Sequence, residues 1–215
     1  MMQTLRNFLA HYNNLLQRRP LSTKCSSAFV IFTAADSIAQ VSISQAAAVV
    51  DDSAECEMKL DVQGAMLYGL LYGAGWVAPV WHIFYQLTSS WGVSKVALAA
   101  RVVVSAAAMD PVNFCVGMVA HRLAHAQAGE AESELGIAGY RLQQGLRTAR
   151  DKIVSIYTIG LCFWPVVHSL NNSVVPVQWR VLLLNCSSLG WMTWMSSQMH
   201  GDPLQPCLIR SSHYG

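Results

Sequence analysis

Three stretches of the chain carry no Asp, Glu, Lys or Arg: Val62 to Ser94, Ile153 to Trp179 and Val181 to Gly201. Each exceeds the ~20 residues that a helix needs to cross the hydrocarbon of a bilayer. In that solvent every backbone N–H and C=O must be satisfied within the chain, so only helices or a closed barrel can span it. The sequence has neither the period-2 alternation of a barrel nor an internal repeat. Two further apolar stretches, Ser26 to Val50 and Val96 to Ala124, are interrupted only by single charges. The expected fold class is all-α, a multi-pass transmembrane helix bundle of about four to five spans with an N-terminal amphipathic helix.

Composition agrees with this and narrows the function classes. Hydrophobic residues make up 53% of the chain and charged residues 12%, outside the usual soluble balance. A net charge of +2 with scattered basic residues offers no electrostatic footprint for nucleic acid, so the lipid bilayer is the expected partner. The six cysteines form no C-x-x-C pair, and four of them lie in apolar runs, so neither a zinc framework nor a disulfide framework is expected.

The chain divides at its polar punctuation. Residues 1–21 form a basic amphipathic helix: Leu5, Phe8, Leu9, Tyr12, Leu15 and Leu16 recur at helical spacing beside Arg6, Arg18 and Arg19. Such a start resembles a mitochondrial transit sequence or a helix lying in the membrane interface. Pro20 stops it, and Ser22 and Thr23 can cap the next helix. Residues 22–200 form the bundle, broken by an acidic polar loop at 51–61, read as a solvated connector, and by an amphipathic connector at 126–150 with a Leu135, Leu142, Leu146 stripe. Residues 201–215 are a C-terminal tail. Gly69 and Gly73 are spaced as G-x-x-x-G, which lets helix backbones approach closely in lipid.

Polar residues at membrane depth carry the functional information, because each is costly there unless paired or wetted. Asp36, Arg101, Asp110 and Arg180 qualify, with Gln40, His82, His168, Asn171 and Asn172 as companions. Asp36 and Gln40, four apart, share a helix face. One reading is a hydrated path favouring cations at Asp36; the other is that the acids pair with the arginines and glue the helices together. His121 and His125 are also four apart, as metal ligands can be, but no Glu stands between them. An interfacial hydrogen-bonding pair is the favoured reading there, and no metal is expected. No nucleophile and base pair, P-loop or dinucleotide motif is present, so neither catalytic residues nor cofactors are expected.

The distribution of these residues resembles a known family, the Mpv-seventeen or twenty-two-kilodalton peroxisomal membrane protein family. Tyr12, Leu16, Pro20, Thr23, Asp36 and Gln40 match its first block, and Pro79, His82 and Tyr85 in APVWHIFY its second. The third block is carried by Trp164, Pro165, Asn171, Val175, Pro176, Arg180 and Trp191, with Ser196 at its terminal serine. Where the family pattern has Gln after W-P-x-x, this chain has His168, and Asn172 replaces Phe, so the resemblance is to a divergent member. Because Tyr12 and Pro20 belong to the pattern, the N-terminal helix is expected to be retained.

The resemblance implies a compact helical bundle of the mitochondrial inner membrane or, alternatively, the peroxisomal membrane. It also implies a pore or channel for ions or small metabolites linked to mitochondrial homeostasis, with Asp36, Gln40, His82, Asn171 and Arg180 lining or bracing the path. A non-conducting structural subunit of a homo-oligomer or larger membrane complex is the rival expectation. In the FWPVVHSLNNSVVPVQWR stretch, a turn is expected from Asn171 to Val175, with Pro176 opening the last helix and Arg180 able to reach an acid such as Asp36.

Overall fold

The computed structural model describes residues 2–50, 60–125 and 136–200. The expected tail at 201–215 and most of the loop at 51–61 lie outside these, as does the first part of the 126–150 connector. Among the described residues the chain is helical, with no strand. Helix α1 spans Met2–Arg18 and α2 Pro20–Val50. Helix α3 (Val62–Tyr68), a π-helical stretch (Gly69–Val77) and α4 (Ala78–Thr88) continue one another as a single rod. A second rod consists of α5 (Lys95–Val104), a short π-helical stretch (Ser105–Met109) and α6 (Asp110–Ala124). Helices α7 (Gly136–Ser173) and α8 (Arg180–His200) complete the bundle.

The local chemistry explains these boundaries. Pro20 supplies no N–H and so sits at the first helical position of α2, where that donor would be an orphan. Asp61 caps α3 by accepting from the Gly64 amide at 2.8 Å, and Ser94 caps α5 by accepting from Ala97. Pro79 and Pro111 stand in the first turn of α4 and α6, just after the two π-helical stretches. Pro165 lies inside α7, which continues through it.

Two expectations change at the turn before α8 and at the connector. Asn171 and Asn172 are the last turn of α7, so the reversal is confined to the residues between Ser173 and the single turn Val177–Trp179. Pro176 precedes that turn in an extended conformation, and α8 starts only at Arg180. Residues 136–150, expected as a separate amphipathic connector, run without a break into the apolar part of α7.

Among the described residues three helices are long and apolar enough to cross a membrane: Pro20–Gln45, Lys95–Ala124 and Gly136–Ser173. The rod Val62–Thr88 and helix α8 are also free of Asp and Glu, but glycines, aromatic residues, serines and an asparagine dilute their apolar character. The distribution of side chains is the reverse of a water-soluble bundle. Val30, Leu87, Val103, Val154 and Val166 are each more than half exposed, whereas Asp36, His168, Asn171, Asn185 and Ser196 have no exposed surface. This is the arrangement that hydrocarbon demands, with polar groups turned toward protein.

Packing puts α2 against α8 and the first π-helical stretch, and α6 against α7. The G-x-x-x-G face serves contact within the chain: a Cβ on Gly73 would lie 2.9 Å from the Ala28 carbonyl oxygen, and one on Gly69 would meet Thr33 and the Phe29 carbonyl. Between α6, α7 and α8, Phe114, Trp164 and Trp191 fill the middle, with Phe114 stacked on Trp191 at 5.3 Å. Helix α1 docks through buried Leu16 and through Tyr12, whose hydroxyl lies 3.2 Å from Ser27 Oγ and whose ring meets Trp179 at 5.4 Å. Replacing Gly73 by Val is expected to overpack this crossing and cost about 1–3 kcal/mol. Gly190→Ala, where a Cβ would meet nothing within 4 Å, is expected to be neutral. Thermal unfolding of the purified protein in detergent measures both.

Candidate functional site

Asp36 is fully buried on α2, and side chains from two other helices, α6 and α8, converge on it. From its own helix, one turn on, Gln40 Nε2 donates to Oδ2 at 2.8 Å, which realises the expected shared face. From α8, the Ser196 hydroxyl donates to Oδ1. From the end of α6, His121 Nε2 stands 3.4 Å from Oδ1 and His125 Nε2 3.0 Å from Oδ2. The other ring nitrogen of His125 lies 2.9 Å from Asp61 Oδ2, just ahead of α3. Gln40 closes the loop: its Oε1 accepts from the Asp61 amide at 2.8 Å, and its Nε2 also approaches the Asp61 carbonyl at 3.3 Å. One imidazole thus bridges a buried carboxylate and a half-exposed one.

The electrostatics follow from this geometry. Burial alone would push the His125 imidazole down, but the carboxylates of Asp36 and Asp61 outweigh it and raise the ring above its ordinary range. Burial tends to raise Asp61, yet the Gly64 amide and His125 hold it below the usual carboxylate range. The site favours positive charge between the two acids.

Further along the interior, Asp110 meets His168 Nε2 at 3.2 Å. The His168 ring lies between Trp81 and Trp164, at 5.1 and 5.6 Å. A cavity of about 20 Å³ beside them, bordered by Asp110, Asn113 and Ser188 among aromatic residues, has room for about one water. Tyr72 donates to the Asn113 carbonyl and Trp76 to its side chain, at 2.9 and 2.7 Å. Next come Asn171, which donates to Tyr85 Oη at 2.8 Å and to the Arg180 carbonyl at 3.2 Å, and Arg180 itself, 5.7 Å over the Tyr85 ring. Last, Lys24 Nζ lies 3.0 Å from His82 Nδ1 beside a cavity of about 250 Å³.

The acids therefore meet histidines, where pairing with arginines was one expectation. Arg180 does not reach Asp36: it donates to the carbonyls of Val175 and Asn172, both at 3.1 Å, and closes the end of α7. Arg101 likewise donates to the carbonyls of Thr88 and Gly92, both at 2.7 Å. An arginine near a helix end has orphan carbonyls within reach, whereas Asp36 and Lys24 are separated along α2 by 12 positions, about 18 Å. Of the expected site residues, Asp36 and Gln40 stand together, Asn171, Arg180 and His82 gather toward the other end, and His82 adjoins Tyr85 and Lys24. Asp61, expected to be merely a solvated loop residue, is a working member of the Asp36 cluster, as are His121, His125 and Ser196. Only the i, i+4 spacing of the histidines and the family's terminal serine signalled any of them.

The class defined by these features is an all-helical membrane protein whose polar groups are bonded inward across its helices. The family model described as Mpv17 / PMP22 family matches residues 137–196, which run from α7 through α8. The chain is 25% identical over 192 residues to Peroxisomal membrane protein 2 of Bos taurus, covering 89% of each. It is 24% identical over 191 residues to Protein sym1 of Aspergillus oryzae, covering 89% of this chain and 97% of the relative. A shorter match of 25% over 69 residues, 32% of this chain and 38% of the relative, is to Mitochondrial inner membrane protein Mpv17 of Caenorhabditis briggsae. These matches support membership of the chain in the Mpv17 / PMP22 family. No solved structure matches it.

The His168 site offers a direct check. His168→Ala would leave the buried Asp110 carboxyl without this partner and is expected to cost about 1–3 kcal/mol. His168→Gln, the residue of the family pattern, can still donate to Asp110 and is expected to recover most of that loss in detergent unfolding.

Proposed function

We propose that this organelle membrane protein forms a narrow, regulated pore for ions or small metabolites in the mitochondrial inner membrane. The observation that carries the reading is the succession of buried polar groups through a bundle whose outside is apolar. It runs from half-exposed Asp61 through His125 and Asp36, past the Asp110 and His168 pair with its water-sized cavity, to Asn171, Tyr85 and the Lys24 and His82 cavity. Placing so many polar side chains on the inside of a membrane bundle is the usual mark of a solute or ion path. Phe114, Trp164 and Trp191 fill the middle, so this reading requires these rings to move for conduction. Asp36 sets the preference for cations. The mitochondrial location is supported by the basic amphipathic α1 and by the shorter match to the relative named Mitochondrial inner membrane protein Mpv17.

A second reading is favoured by the completeness of the pairing. Asp36 and Asp110 are both bonded within the bundle, and Arg101 and Arg180 cap carbonyls, which also suits a non-conducting subunit of a larger membrane complex. Purified protein in planar bilayers separates the two. The pore reading expects single-channel conductance whose cation selectivity falls in Asp36→Asn. No conductance, or conductance and selectivity unaltered by Asp36→Asn, overturns it. For location, imaging the tagged chain against organelle markers is expected to show overlap with mitochondria; overlap with peroxisomes alone would contradict that part.

A further inference from the structure

We propose that Asp36, His121 and His125 form a binding site for a divalent transition-metal ion of the zinc type, which clamps α2 to the end of α6. The site shares Asp36 with the proposed path, but the inference rests on ligand geometry and its test reads bound metal, so it holds for a pore or a structural subunit alike.

The geometry is that of a ligand set. One carboxylate and two imidazoles, all three residues buried, place one ligand atom each within 4.8 Å of one another. Around a tetrahedral ion with bonds of about 2.0–2.1 Å, neighbouring ligand atoms lie about 3.3–3.4 Å apart. His121 Nε2 is 3.4 Å from Oδ1 of Asp36 and His125 Nε2 is 3.0 Å from Oδ2, so an ion held between the carboxylate and the two rings needs a small adjustment of the carboxylate and a modest approach of the rings. Two nitrogen donors and one carboxylate select a borderline ion such as Zn²⁺ over Mg²⁺ or Ca²⁺, which prefer all-oxygen sites.

The surroundings supply what a metal site requires beyond its ligands. A metal-binding imidazole normally donates its other N–H to a carboxylate or carbonyl, which fixes the ring and strengthens it as a ligand. His125 presents Nε2 to Asp36 and Nδ1 to Asp61 at 2.9 Å, in that arrangement. Each oxygen of Asp36 also accepts one bond from a neutral donor, Gln40 on one side and Ser196 on the other, which orients the carboxylate toward the two rings. Gln40 in turn holds the Asp61 backbone, so the supporting groups are tied together. Two acids face two histidines here, and a divalent ion would balance the carboxylates directly. A fourth position would be filled by water or by the second oxygen of Asp36.

The test uses the full-length protein in detergent, stripped with a chelator, equilibrated with Zn²⁺, desalted and assayed for bound metal. The expected result is about one zinc per chain, with X-ray absorption giving only nitrogen and oxygen neighbours near 2.0–2.1 Å and imidazole scattering. His121→Gln with His125→Gln removes that zinc while the circular dichroism and elution stay those of the parent. Asp61→Asn keeps the three ligands but weakens the affinity by about 10–100-fold. A thousandfold excess of Mg²⁺ does not displace the ion. Folded parent protein that retains no zinc overturns the site. So does zinc that survives the double histidine substitution, or sulfur among its neighbours, since both place it at cysteines or at other histidines. If the double variant fails to fold, the stoichiometry and scattering of the parent decide alone.

Discussion

The arrangement depends first on the burial of one carboxylate. Asp36 has no exposed surface, and moving such a group out of water costs several kcal/mol unless its lone pairs are met by well-placed donors. Those donors come from α2 itself, from α6 and from α8, and the nearest histidine carries the chain of contacts on to Asp61 at the start of α3. Satisfying this one group therefore sets the register of α2 against two other helices and fixes where the rod Val62–Thr88 begins. Asp61 serves twice, as the cap of α3 and as the outer carboxylate on His125. Loss of either role would disturb the other.

The rest of the interior follows the same rule with different partners. In hydrocarbon the exterior gains nothing from polar groups, so the exposed faces are valine and leucine while Asp, His, Asn and Ser turn inward. Where helices end inside the bundle, arginine supplies the donors: Arg101 for the carbonyls at Thr88 and Gly92, Arg180 for those at Asn172 and Val175. Close approach is bought with glycine, as at Gly73 against α2 and at Gly145, where a Cβ would lie 2.8 Å from Val119 Cα. The aromatic middle separates the Asp36 cluster from the Asn171 and Arg180 group, so the two ends of the polar succession are distinct sites.

Much of this architecture is legible in the sequence because it depends on what a segment lacks. A run without charges between polar stretches implies a helix, and Asp36 with Gln40 at i, i+4 implies a shared face. The family pattern in FWPVVHSLNNSVVPVQWR marks the reversal before α8, although the turn lies later than the Asn171 to Val175 expected, between Ser173 and Arg180. Periodicity does not report which face meets which helix. Asp61 looks like one more acid in a solvated loop: its cap on Gly64 is local, but its bond to His125 joins a partner 64 positions away. His121 and His125 announce a common face but not Asp36 opposite them, and the pairing of His168 with Asp110 across 58 positions is equally silent. Arg180 misleads because its charge points to an acid as partner, whereas nearby orphan carbonyls decide where it bonds.

The central claim is that Asp36 and the end of α6 hold each other through His125. A double-mutant cycle of Asp36→Asn and His125→Gln, read as unfolding free energy in detergent, isolates that term from everything else each residue does. The account predicts a coupling of about 1–3 kcal/mol, the double variant losing clearly less than the sum of the two single changes. Losses that simply add would mean that the two side chains stand near each other without interacting, and would contradict it.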